Sequence, residues 1–97
     1  MYKVFTKPNC QFCVRAKELL DKLNIPYETY HLGENLEGGD GNYTVTIDQM
    51  FEMIGKQVRS MPQIMNNEKH IGGYTDLREY FINEGKLNFK GETIHDS

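Results

Sequence analysis

The chain has two cysteines, Cys10 and Cys13, one helical turn apart in "KPNCQFCVRAK". This pair narrows the options most, because the hydrophobic period changes across it. "YKVF" is β-prone, and Lys7-Pro8-Asn9 closes it with turn chemistry. From Gln11 onward Ala16, Leu19, Leu20 and Leu23 recur at helical spacing, while Glu18 and Lys22 form an i,i+4 pair on an outer face. Cys10 therefore sits at the mouth of a helix and Cys13 one turn inside it. Unbonded N–H groups and the positive end of the helix favour thiolate over thiol at Cys10, with Lys7 adding positive charge nearby and Arg15 a further candidate. Cys10 reads as the nucleophile. Cys13, deeper and more weakly acidic, reads as the thiol that attacks a disulfide formed at Cys10.

A rival use for two such cysteines is zinc. A structural zinc needs four ligands, and there is neither a second CxxC nor a close histidine pair; His31, His70 and His95 are scattered and read as ordinary residues. No metal is expected. With 97 residues and 38% hydrophobic side chains, the chain suits one compact domain. Eleven basic residues against fourteen acidic ones give a formal charge of -3, and no basic run is present to follow a phosphate backbone. Nucleic acid is excluded as a partner. No apolar stretch approaches a membrane span, and "MYKVFTKPNC" lacks the apolar core and cleavage site of a signal peptide. The expectation is a cytoplasmic protein without membrane contact, where a close cysteine pair is redox-active rather than a permanent staple.

Asn24-Ile25-Pro26 stops the first helix, and "YETYHL" reads as a second strand. Residues 33–43, "GENLEGGDGNY", carry four glycines and read as a loop; without a Walker or GxGxxG pattern they cradle no phosphate. Thr46 and Gln49 form a capping box for a helix in which Ile47, Met50, Phe51 and Ile54 recur at helical spacing, its Met and Phe read as core, ending at Gly55. "PQIMN" and "KHIGG" read as a hairpin. Thr75 is the expected cap of a last helix, with Leu77, Tyr80 and Phe81 inward and Gly85 at its end. The domain is therefore read as 1–85. For residues 86–97 two readings stand: a frayed end, or a segment pinned by Leu87 and Phe89. The order β-α-β-α-β-β-α, with a right-handed parallel crossover first and a hairpin later, predicts an α/β fold with a mixed four-stranded sheet flanked by helices.

"CQFC", "SMPQI" at 60–64 and "HIGGYTD" at 70–76, in that order and spacing, resemble the glutaredoxins, above all the short dithiol forms of bacteria and bacteriophages. The resemblance runs from residue 2 to about residue 84. It implies a thioredoxin-like fold and a glutathione-dependent thiol–disulfide oxidoreductase acting on protein disulfides and glutathionylated proteins, with ribonucleotide reductase among the candidate partners, and a monomer. It implies a cis bond at Met61-Pro62 after Ser60, facing the cysteines and leaving the Met61 backbone free for an extended substrate. It also implies that N–H groups around Gly73, Tyr74 and Thr75 receive the γ-glutamyl carboxylate of glutathione and that Asp76 pairs with its ammonium. Lys7 would meet the glycyl carboxylate, Arg59 would assist a carboxylate, and Phe12 and Tyr74 would wall the bound thiol. The plainer readings are a solvated Lys7 and Arg59, an Asp76 that only serves its helix, and a Phe12 in apolar contact.

The family pattern C-P-Y-C is C-Q-F-C here. Gln11 restores a backbone N–H that proline lacks, which is expected to stabilise the thiolate. Some glutaredoxins without that proline hold a [2Fe–2S] cluster between two subunits through the first cysteine and glutathione, so a cluster-binding module is the alternative function. A thioredoxin-like reductant served by a reductase is disfavoured by Lys7 and "GGYTD".

Overall fold

The structure is a computed structural model and describes residues 1–33 and 43–88. Its elements are β1 (Tyr2–Thr6), α1 (Gln11–Lys22), β2 (Tyr27–Leu32), β3 (Tyr43–Val45), α2 (Ile47–Ile54), β4 (Gln63–Asn66), β5 (Lys69–Gly72) and α3 (Tyr74–Asn83). The strands form one sheet in the order β3-β2-β1-β4-β5. β1 runs parallel to β2, and β2 parallel to β3, while β4 is antiparallel to both β1 and β5.

The central position of β1 explains its composition. A strand covered on both faces must be apolar on both, and Val4, Phe5 and Thr6 are all buried. Opposite pairing puts Val4 beside Ile64 on one face, where Ala16, Leu19 and Leu20 of α1 and Leu77 and Phe81 of α3 close over them. Phe5 and Met65 point to the other face, against Val45 of β3 and Met50 of α2. Full burial of a side chain such as Leu20 or Phe81 contributes about 1.5–3 kcal/mol, so the first face holds most of the apolar stabilisation.

The sheet has one strand more than the sequence predicts. β3 is only three residues long, too short to show a period, and its Tyr43 falls at the end of the segment read as a glycine-rich loop. What makes it a strand is its neighbour: Tyr30 pairs with Tyr43 and Leu32 with Val45, and the two tyrosine rings stack at 4.9 Å. The rest of that loop, 34–42, and the tail beyond Asn88 lie outside the described residues. Leu87 is 2% exposed and joins the core, its N–H donating to the Phe81 carbonyl at 3.3 Å, so packing continues past residue 85.

The helix ends follow local chemistry. Gln49 Oε1 accepts from the Thr46 N–H (2.8 Å) and Thr46 Oγ1 accepts from the Gln49 N–H (3.1 Å), while Gly55 closes α2 at φ 91°. The cap of α3 is Gly73, not Thr75. Asp76 Oδ2 accepts the Gly73 N–H at 3.0 Å, the half of a capping box that needs no side chain at the cap itself, and Thr75 falls inside the first turn.

Strand directions then decide where loops gather. The C-terminal ends of β1, β2 and β5 and the N-terminal end of β4 lie at the same end of the sheet. Segments centred on residues 10, 62 and 73 are brought together there.

Candidate active site at one end of the sheet

Cys10 is the N-cap of α1, in extended conformation, and its sulfur accepts the Cys13 N–H at 3.2 Å. The two cysteines are joined as a disulfide with their Cα atoms 5.3 Å apart. Cys10 is half-buried and Cys13 is 2% exposed, so an incoming sulfur meets Cys10 first. On reduction, the same N–H and the helix end favour negative charge at Cys10. The hydrogen bond to this sulfur comes from Cys13, whereas Gln11, whose N–H the sequence singled out, is the exposed first residue of the helix. Lys7, Lys17 and His31 share with both cysteines a cavity of about 480 Å³.

A larger cavity of about 650 Å³ is lined by Phe12, the residue just before Cys13. It contains nine of the expected site residues: Phe12, Arg59, Ser60, Met61, Pro62, Gly73, Tyr74, Thr75 and Asp76. The Met61–Pro62 bond is cis. A Cβ placed on Gly73 would stand 3.5 Å from the Pro62 carbonyl oxygen, so the two turns are in direct apposition. Phe12 joins this cavity to the cysteine turn: it is 51% exposed, its ring centroid is 6.0 Å from that of Tyr74, and the Arg15 guanidinium carbon is 5.4 Å from its centre. Lys7 does not line this cavity but meets Arg59, Ser60 and Met61 around a third, of about 670 Å³.

Gly72 is glycine by necessity. Its φ is 127°, and a Cβ there would come within 2.8 Å of Asp76 Cγ and 2.9 Å of Asp76 Cβ. The close approach lets Asp76 reach back to the Gly73 N–H while still lining the cavity.

Sequence reasoning passed over four polar side chains that line the larger cavity, Lys56, Gln57, Gln63 and His70, as well as Val58, Ile71 and Gly72. Gln63 is 3% exposed; its Nε2 donates to the Ser60 carbonyl (2.8 Å) and Oγ (3.3 Å), and its Oε1 lies 2.7 Å from His70 Nε2. His70 is held below the ordinary imidazole range, first by burial and then by the positive charge of Lys56, against an opposing pull from Asp76. The hairpin carried a signal for this pair, since His70 stands opposite Met65 and Gln63 is two residues from it on the same face.

Among the described residues no cluster of three or more metal-ligating side chains occurs, and no helix is long and apolar enough to cross a membrane.

The glutaredoxin family model matches residues 3–71. Glutaredoxin 1 of Salmonella typhimurium is 35% identical over 80 residues, covering 79% of this chain and 85% of that protein. Glutaredoxin 1 of Escherichia coli is 34% identical over 77 residues, covering 76% and 84%. The solution structure of reduced Escherichia coli glutaredoxin superposes with a TM-score of 0.65 at 31% identity, over 84% of this chain and 93% of that one. A buckwheat glutaredoxin–glutathione complex superposes with a TM-score of 0.55 at 26% identity, over 88% and 70%.

Proposed function

Because this chain belongs to the glutaredoxin family of thiol–disulfide oxidoreductases, we propose that glutathione is its reductant and that its substrates are glutathionylated proteins and protein disulfides. The observation that carries this reading is the junction at Phe12. Phe12 sits between the two cysteines in sequence and lines a cavity formed by a cis-proline loop and a glycine-capped helix bearing Asp76.

In the glutathione route, the Cys10 thiolate attacks the glutathione sulfur of a mixed disulfide. The substrate thiolate leaves and takes a proton from solvent, and glutathione stays bonded to Cys10. A second glutathione thiolate attacks that glutathione sulfur, releasing glutathione disulfide and the Cys10 thiolate. The bound tripeptide lies along the Met61 backbone, its γ-glutamyl carboxylate at the N–H groups opening α3 and its ammonium at Asp76. Lys7 and Arg59 meet the glycyl carboxylate. In the protein route, Cys10 forms a mixed disulfide with the substrate and Cys13 displaces the substrate thiol, leaving the Cys10–Cys13 disulfide for two glutathiones to reduce. Ribonucleotide reductase is a candidate recipient of these electrons, the protein acts as a monomer, and the reducing cytoplasm is the setting in which the cycle runs.

The test is turnover of the mixed disulfide of glutathione and β-mercaptoethanol, coupled to NADPH through glutathione reductase. Cys10→Ser should abolish it, and Cys13→Ser should retain it while losing turnover of protein disulfides. Inactivity of the wild-type protein would overturn glutathione dependence, and loss of mixed-disulfide turnover in Cys13→Ser would overturn the assignment of roles.

A further inference from the structure

Gln63 and His70 form a polar relay behind the cis-proline loop, and its proton positions can be worked out. The Ser60 carbonyl oxygen only accepts, so the amide group facing it at 2.8 Å must be the Gln63 NH₂. Gln63 Oε1 therefore faces His70, and the His70 Nε2 2.7 Å away must carry a hydrogen. Gln63 is 3% exposed, and among the described residues every fully buried side-chain nitrogen and oxygen has a partner. Removing the His70 donor would leave Gln63 Oε1 without a partner in a nearly buried place and deprive the amide of one of the two ends that hold it. An amide moving to find a new donor for that oxygen would pull its NH₂ away from the Ser60 carbonyl and loosen its hold on the loop.

We propose that His70 is a positioning residue for the substrate-binding loop: by donating from Nε2 to Gln63 it fixes the amide that holds Ser60, and so sets the backbone of Ser60–Met61 along which the substrate lies. The inference rests on the glutathione reading above for its effect on turnover, but not for the relay itself. Lys56, in the segment following α2, and Asp76, in the first turn of α3, are the charged groups acting on the ring. Protonation of His70 adds a hydrogen at Nδ1 and leaves the Nε2 donor in place, so the relay persists on acidification.

The first measurement needs no variant. Nitrogen NMR of the wild-type ring at neutral pH should show the hydrogen on Nε2, and a hydrogen on Nδ1 alone would overturn the proposal. The second compares His70→Leu with His70→Gln, which keeps an N–H donor at similar reach. With the glutathione mixed disulfide, His70→Leu should raise KM about tenfold at nearly unchanged kcat, which is about 1.4 kcal/mol, and His70→Gln should recover most of that loss. An unchanged KM in His70→Leu, or equal damage in both variants, would sink it. If the wild-type protein turns over no glutathione substrate, the glutathione reading fails alone. Hydrogen exchange of the Gln63 side-chain amide, protected in the wild type and in His70→Gln but not in His70→Leu, then decides the relay, and equal protection in all three would overturn it.

Discussion

Replacing Gly72 by alanine separates two costs that the structure keeps distinct. The first is conformational: at φ 127° an L-residue is strained by about 1–2 kcal/mol. The second is steric. The new methyl would meet Asp76 Cγ at 2.8 Å and Cβ at 2.9 Å, so the carboxylate must swing away and its 3.0 Å bond to the Gly73 N–H is lost. A capping bond of this kind contributes about 1 kcal/mol. The sum, about 2–3 kcal/mol, lowers Tm by roughly 10–20 °C in a domain of this size. Gly55→Ala is the control, because its φ is 91° but nothing lies within 4 Å of the added Cβ, so only the conformational cost applies. Thermal unfolding of both variants followed by circular dichroism gives the difference directly. Gly72→Ala should also weaken the proposed glutathione site, since the displaced Asp76 no longer borders the cavity as it does now. Equal Tm losses in the two variants would refute the claim that Gly72 is kept small by Asp76.

Asp76→Asn retains an oxygen for the Gly73 N–H but loses the charge proposed to meet an ammonium; KM for the glutathione mixed disulfide should rise about ten- to hundredfold, the 1.5–3 kcal/mol of a charged hydrogen bond, with Tm little changed. His70 is held below its ordinary value by burial and Lys56, so the unfolded chain binds its proton more readily. Stability should therefore fall as pH drops from about 6.5 through the lower folded value, and unfolding titrations of His70→Gln should lack that component. Gln11→Pro leaves the Cys13 N–H bond to Cys10 intact, and proline is tolerated at the first helical position. Its reduction potential against glutathione should shift by less than about 30 mV, the equivalent of 1.4 kcal/mol for two electrons; a larger shift would restore Gln11 as a thiolate donor.

The legible parts of this chain were those where local chemistry and fold agree. Strand, turn and helix around Cys10, the Thr46–Gln49 box and the Gly55 stop each rest on interactions within a few residues. β3 was not legible because its hydrogen bonds belong to β2, not to its own sequence. The cap of α3 was misplaced because Thr75 is a strong capping residue on paper, while the actual cap works through Asp76 reaching back. The motifs named the cis-proline and the glycine turn only by resemblance. Their apposition depends on antiparallel pairing of β4 with both neighbours, which no local pattern encodes. Gln63 and His70 were invisible singly, since each is a common residue in a short strand and acquires meaning only across the hairpin.

The position of β5 carries a kinetic consequence. It is an outermost strand, whereas β1, which leads to Cys10, is the innermost. Local opening free energies rise from the margin of a sheet to its middle. A ligand bound at the Gly72–Gly73 turn, as proposed for glutathione, binds only when that margin is closed, so it should slow amide exchange in β5 as it slows global unfolding, and leave β5 still faster than β1. Product escape can then follow the breathing of one marginal hairpin, while Cys10 sits at the N-terminus of the helix that follows the innermost strand.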